Sequence, residues 1–218
     1  MEEANFTPKE RETYERYIAK FEEESKNEHQ SVGIYVEQLA KDHPNKNALF
    51  FEDKSWTWKK FNEESNKIAN FFSNHGLKPG NTVAVMMENS PEYFFITTGI
   101  NKIQGICALV NINQRQQALV HSIKIVNAKY IIIDGDCLPS LVEVLDELHH
   151  KNDEIFVLND IDNSQTDYID LQNQLRDVSS TNPSTTQNSI LTEIACYIYT
   201  SGTTGLPKAV IIENQAFT

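Results

Sequence analysis

Basic residues are what this sequence has least of. Across 218 residues, 19 Lys and Arg face 31 Asp and Glu, a formal charge of −12. A general nucleic-acid binder needs a basic face to neutralise phosphates, so no nucleic-acid partner is expected. Beyond Arg176 the only basic residue is Lys208. No apolar run approaches the ~18–20 residues of a membrane span. The start, Met1-Glu2-Glu3-Ala4-Asn5, has neither the basic residues nor the apolar stretch of a secretory signal. The sequon Asn5-Phe6-Thr7 is therefore not expected to carry a glycan. Together these absences lead to the expectation of a soluble, intracellular chain. The three cysteines, Cys107, Cys137 and Cys196, form no CxxC pair and no Cys/His cluster of zinc spacing. They read as buried thiols of a reducing compartment. His149-His150 reads as the solvated end of a helix rather than a metal site, and no internal repeat is present.

What is there suffices for a core. A hydrophobic fraction of 39% with 10% aromatics argues against global disorder. The length suits one domain, or part of a larger one. Acid is unevenly spread: residues 134–170 hold eleven carboxylates and one lysine, Lys151. That segment is expected to form solvated helix faces and loops.

Patterning gives the organisation. Residues 8–24 fit a helix with Tyr14, Ile18 and Phe21 on one stripe, and Glu22-Glu23-Glu24 with the polar residues after it reads as a linker or lead-in. Ser31 caps a helix reaching about Lys41, stopped by His43-Pro44. A hairpin follows, Ala48–Phe51 and Ser55–Thr57. Thr57 then caps a helix whose Phe61, Ile68, Phe71 and Phe72 form a core stripe. Trp56 and Trp58 read as packing residues. Gly76, Leu77 and Pro79 end that helix. From Thr82 strands and helices alternate: strands 82–87, 106–110, 130–133 and 155–158, helices 91–103, 115–127 and 138–149. The strands are continuous aliphatic runs. The fold class is therefore α/β, a parallel sheet with helices on both faces. Residues 177–189 read as a solvated loop or flexible linker. Strands 195–200 and 209–212 close the chain.

Between these last strands runs Tyr199-Thr200-Ser201-Gly202-Thr203-Thr204-Gly205-Leu206-Pro207-Lys208. Gly202 and Gly205 permit unusual dihedrals and close approach of the main chain to a ligand. Successive N–H groups can then form an anion-binding concavity. Thr200, Ser201, Thr203 and Thr204 add hydroxyl donors, and Lys208 adds a compact positive charge. A Walker A loop is excluded, because Pro207 precedes the Lys, Ala209 follows it, and a strand comes next. Gly-x-Gly-x-x-Gly is absent, so a dinucleotide fingerprint is excluded too.

These ten residues resemble the AMP-binding signature of the adenylate-forming superfamily of acyl-CoA synthetases, luciferases and peptide-synthetase adenylation domains. Residues 45–75 and 80–93 resemble its N-terminal lobe and first core strand and helix. Leu109-Val110-Asn111-Ile112-Asn113-Gln114-Arg115, with Leu119 and His121, resembles the fatty acid transport protein group of very long-chain acyl-CoA synthetases. Gln116 and Glu213 depart from that group, which usually has a basic residue and a His there. The resemblance covers residues 31–218. It implies a fatty acid–CoA ligase that uses ATP, Mg2+ and coenzyme A through an acyl-adenylate.

Under that resemblance Tyr199, Thr200, Ser201, Gly202, Thr203, Thr204 and Gly205 bind the nucleotide phosphates. Lys208 is the catalytic residue that stabilises charge on the outer phosphates. Arg115 and His121 read as helix-surface residues. Metal ligands remain unassigned. Fatty acid and nucleotide are the implied partners. A role in fatty acid uptake is implied for the full-length protein, with peripheral attachment to the endoplasmic reticulum, peroxisomal or plasma membrane left open. The chain ends at Thr218, soon after Asn214, which would cap a new helix. The expectation is an acidic helical lead-in over 1–30 and the N-terminal portion of an AMP-binding domain over 31–218, inactive alone. Two alternatives stay open: a non-catalytic nucleotide-binding or interaction fragment, and a peptide-synthetase type of adenylation domain.

Overall fold

The computed structural model describes residues 6–24, 27–159, 167–201 and 205–217. Helix α1 (Pro8–Glu24) leads in. Its bounds are those expected, with Glu22–Glu24 as the last helical turn. Tyr14 and Ile18 remain exposed. Helix α2 (Val32–Asp42) starts at Ser31, whose hydroxyl accepts from the Ile34 amide. Strands β1 (Asn47–Phe51) and β2 (Lys54–Thr57) form the expected antiparallel hairpin. Helix α3 (Trp58–Asn74) is capped by Thr57 and ends in a Schellman arrangement. There Leu77 N–H reaches Phe72 O at 2.9 Å and Gly76 N–H reaches Ser73 O at 3.2 Å.

The main sheet and its cover follow in alternation. They run β3 (Thr82–Met86), α4 (Pro91–Lys102), β4 (Ile106–Leu109), α5 (Gln116–Ile125), β5 (Ala128–Asp134), α6 (Leu138–Val142) and α7 (Leu145–Leu148). Then come β6 (Ile155–Leu158), β7 (Ile169–Asp170), α8 (Leu171–Gln174), β8 (Ile194–Thr200) and β9 (Lys208–Glu213). The seven strands lie in the order β7-β6-β5-β3-β4-β8-β9. All neighbours pair in parallel except β8 and β9, which form an antiparallel hairpin at one edge. Alternate side chains of each strand go to opposite faces. Ala84 and Met86 pack with Leu119, Ile123 and Leu141 of α5 and α6. Val83 and Val85 pack with Ile68, Phe72, Ile96 and Ile100 of α3 and α4. Helices thus cover both faces, as the aliphatic strands require. A third cluster, Val36, Phe61 and Phe95 with Trp56 and Trp58, seats the β1–β2 hairpin, so both tryptophans are packing residues.

Four expectations change. The helix over 138–149 is two short ones. Val144 is non-helical (φ −119°, ψ 3°) and closes a turn on Leu141 O at 3.0 Å. The β-branched Val142 and Val144 weaken a continuous helix there. The short β7 and α8 carry no pattern long enough to read. Asn214 is buried rather than a helix cap. Its Nδ2 donates to Ile190 O at 2.8 Å, and its Oδ1 accepts from Asn101 Nδ2 at 2.9 Å.

The fourth change is the segment 177–189, which is no free linker. Asn62, Asn66 and Asn70, one helical turn apart on α3, hold it down. Asn62 donates to Asn182 Oδ1 at 2.8 Å, Asn66 to Ser180 O at 2.9 Å, and Asn70 to Thr181 O at 2.9 Å. Behind these amides lies Lys102, fully buried. Its Nζ donates to Asn62 Oδ1 at 2.5 Å, Asn66 Oδ1 at 2.7 Å and Glu37 at 3.0 Å.

Burial pulls the Lys102 pKa from 10.5 down to about 8, against the upward pull of Glu37. Between those values the unfolded chain holds more protons than the folded one. Unfolding free energy should therefore rise with pH through that window, with the full burden present below it. Urea unfolding checks this: the double variant Glu37→Gln/Lys102→Met should lose that rise relative to the parent. Lys102→Met alone should destabilise by about 3–5 kcal/mol, because the part-buried Glu37 and the two asparagine oxygens lose their cation.

Candidate functional site

The parallel pairing of β5, β3, β4 and β8 puts their carboxyl ends on one edge of the sheet. That edge is where open α/β sheets take ligands. A cleft of about 570 Å³ lies there, lined by Met87, Glu88 and Asn89 after β3, Asn111 and Ile112 after β4, and Tyr199 near the end of β8. Glu88 is the only charged residue in its lining among the described residues.

The loop expected to hold phosphates leaves the same edge. Thr200 pairs with Lys208 and Tyr199 with Ala209, so the ten-residue motif is a β8–β9 hairpin loop. Thr200, Ser201 and Lys208 are exposed, as an anion site needs. Gly205 has φ +86°, a left-handed value that favours glycine. Gly202, Thr203 and Thr204 lie outside the described residues. Among the described residues Lys208 makes no ion pair, so its ammonium is available to a ligand.

Helix α5 supports the hairpin from behind. The Tyr199 hydroxyl donates to Ser122 O at 2.6 Å. Burial, aided by Tyr197, pushes the Tyr199 ionisation up, so the phenol stays a protonated donor. The His121 Nε2 lies 3.0 Å from Pro207 O and donates to it, which fixes the proton on that nitrogen. His121 therefore holds the loop, a larger role than the helix-surface reading gave it. Arg115 is exposed and folds back on its own turn, donating to Ile112 O at 2.5 Å and Gln114 O at 2.8 Å.

Sequence reasoning did not single out Glu88, Asn89 or Asn111 as site residues. Their signal was present: each is a polar residue just past an apolar strand. His149 is exposed, and His150 Nε2 lies 2.9 Å from Ala128 O. The three thiols are buried and free. Among the described residues no group of three or more His, Cys, Asp and Glu is placed to hold a metal ion.

A mostly parallel sheet, helices on both faces, and a glycine- and hydroxyl-bearing hairpin loop at the carboxyl edge define an α/β domain of the adenylate-forming type. The chain belongs to the AMP-binding enzyme family, which matches residues 36–218. It is 32% identical over 172 residues to mouse long-chain fatty acid transport protein 6, covering 78% of this chain and 28% of that protein. It is 26% identical over 185 residues to the medium/long-chain fatty acid–CoA ligase FadD6 of Mycobacterium tuberculosis, covering 85% and 29%. The chain thus spans under a third of the length of these relatives. Among solved structures, the anthranilate CoA ligase AuaEII in complex with anthranoyl-AMP shares its fold. The TM-score is 0.80 at 22% identity, covering 88% of this chain and 36% of that one.

Gly205→Ala separates strain from contact. Among the described residues a Cβ there would meet nothing within 4 Å, so the expected loss is backbone strain. Urea unfolding should show a loss of about 1–2 kcal/mol, and Gly205→Asn should lose less.

Proposed function

We propose that the chain is the phosphate-binding part of a long-chain or very long-chain fatty acid–CoA ligase. The reaction joins a fatty acid carboxylate to the α-phosphate of ATP, and pyrophosphate leaves. The coenzyme A thiol then attacks the acyl carbon and AMP leaves. The observation that carries this reading is the exposed hydroxyl- and lysine-bearing hairpin loop at the sheet's carboxyl edge. The names of the curated relatives supply the acyl chemistry.

In this reading Thr200, Ser201 and the loop amides through Gly205 orient the β- and γ-phosphates, with Gly202, Thr203 and Thr204 among the donors. Carboxylate attack on ATP brings two anions together, so charge must be screened. Lys208 meets the outer phosphates and stabilises the leaving pyrophosphate. Magnesium, when bound, neutralises phosphate charge. Tyr199 and His121 keep the hairpin in place from the α5 side. Peripheral membrane association and a part in fatty acid uptake are proposed on the relatives' names alone. Among the described residues no helix is long and apolar enough to cross a membrane.

Titration of the 218-residue chain with ATP and magnesium at low salt tests the reading. Binding should weaken as salt rises. Lys208→Ala should weaken it about tenfold or more, the worth of one charge-assisted contact. Pyrophosphate should compete and AMP should compete poorly. Equal ATP binding by parent and Lys208→Ala, or no competition by pyrophosphate, overturns it. Incubated with palmitate, ATP, magnesium and coenzyme A, the chain alone should give no acyl-CoA above the Lys208→Ala background.

A further inference from the structure

Two cysteines that the proposed reaction does not use face each other inside the fold. Cys107 on β4 and Cys196 on β8 are direct partners across the parallel pair. Both go to the face covered by α3 and α4, whereas Cys137 lies in the cluster on the other face. Both belong to the wall of an apolar cavity of about 460 Å³. Its lining includes Val36, Leu49, Phe61, Leu109 and the half-exposed Phe217, so the cavity reaches solvent. Cavities of this size and character take small apolar ligands.

Burial pushes both thiols up, Cys196 to about 11 and Cys107 further, where the neighbouring Cys196 adds to the effect. At neutral pH both are therefore uncharged S–H groups, poor targets for reagents that need a thiolate. Neighbouring strands lie about 4.8 Å apart. Directly opposed Cβ atoms in a parallel pair keep about that spacing, beyond the ~3.5–4.5 Å of a disulfide. A bridge with one soft atom between the two sulfurs is longer and fits the gap better than a direct S–S bond. Among the described residues no third metal-type ligand joins them.

We propose that Cys107 and Cys196 form a dithiol site for trivalent organic arsenicals, with the organic group seated in the apolar cavity. The step is redox-neutral and needs no prior ionisation. With an arsenoxide, R–As=O, both S–H bonds break, two As–S bonds form, and the oxo oxygen leaves as water with both protons. The bridged product ties β4 to β8.

The test uses phenylarsine oxide on the folded 218-residue chain, read by native mass spectrometry and thermal unfolding. One adduct per chain is expected, heavier by the arsenical less one water, with a raised unfolding midpoint. Cys107→Ala and Cys196→Ala should each bind at least about a hundredfold more weakly, because the second tethered ligand is lost. Cys137→Ala should bind as the parent does. An adduct that survives either of the first two substitutions, or that needs Cys137, overturns the proposal. So does an adduct that lowers the midpoint, since it captures the unfolded chain, and so does the absence of any adduct.

Discussion

Lys102 is an ammonium with no exposed surface, and the arrangement of this fold follows from how it is satisfied. A buried charge is tolerated only when paired and hydrogen-bonded. Here three acceptors from two helices converge on it: Glu37 from α2, and Asn62 and Asn66 from α3. Lys102 itself ends α4, so one cation fixes three helices to each other. The asparagines are the connecting parts. An amide oxygen can face the cation while the amide nitrogen faces the other way. Asn62 and Asn66 use that second side to hold residues 180 and 182. Glu37 does the same at longer reach, accepting from Gln187 at 3.1 Å.

The held segment is the one that delivers the chain to β8. Between β7 and β8 it must cross from one side of the sheet to the other, past β6, β5, β3 and β4. A crossing of that length without regular strands would lose much chain entropy on ordering unless it bonds as it goes. The ladder on α3 supplies those bonds. Thr185 adds one to Lys102 O at 3.3 Å, and Leu191 adds another to Glu28 O at 2.9 Å. β8 then pairs with β4, and its carboxyl end joins the edge that carries the cleft. The position of the hairpin loop thus rests on contacts at the opposite end of α4.

The local features of this fold were legible, and the reason is that their causes are local. Ser31 and Thr57 each accept from an amide three residues on. The aliphatic strands could be read because β3, β5 and β6 are buried on both faces. The hairpin loop could be read because its hydroxyls and glycines are contiguous. The asparagine ladder could not: Asn66 and Ser180 are separated by 114 residues, and an exposed polar helix face has the same composition as a bonded one. Lys102 sat in a segment that reads as amphipathic helix, where lysine is ordinarily solvated. His121 was legible as a helix residue but not as a partner of Pro207, since that contact exists only once β9 has folded back over α5.

An acidic chain can still present an anion site, because sites respond to local field rather than net charge. The acid-rich segment 134–170 begins at Asp134, the last residue of β5, on the same edge as the loop. Three strand spacings separate β5 from β8, about 14 Å, well beyond the ~8 Å screening length at physiological salt. The Asp134 carboxylate is also nearly buried and committed, accepting from the Glu88 amide at 3.1 Å and Asn159 Nδ2 at 2.7 Å. In the proposed reading a polyphosphate approaching β8 meets Thr200, Ser201 and Lys208 before it meets that acid. In that reading Lys208 and the loop engage an extended anion together, and a lone carboxylate gains less.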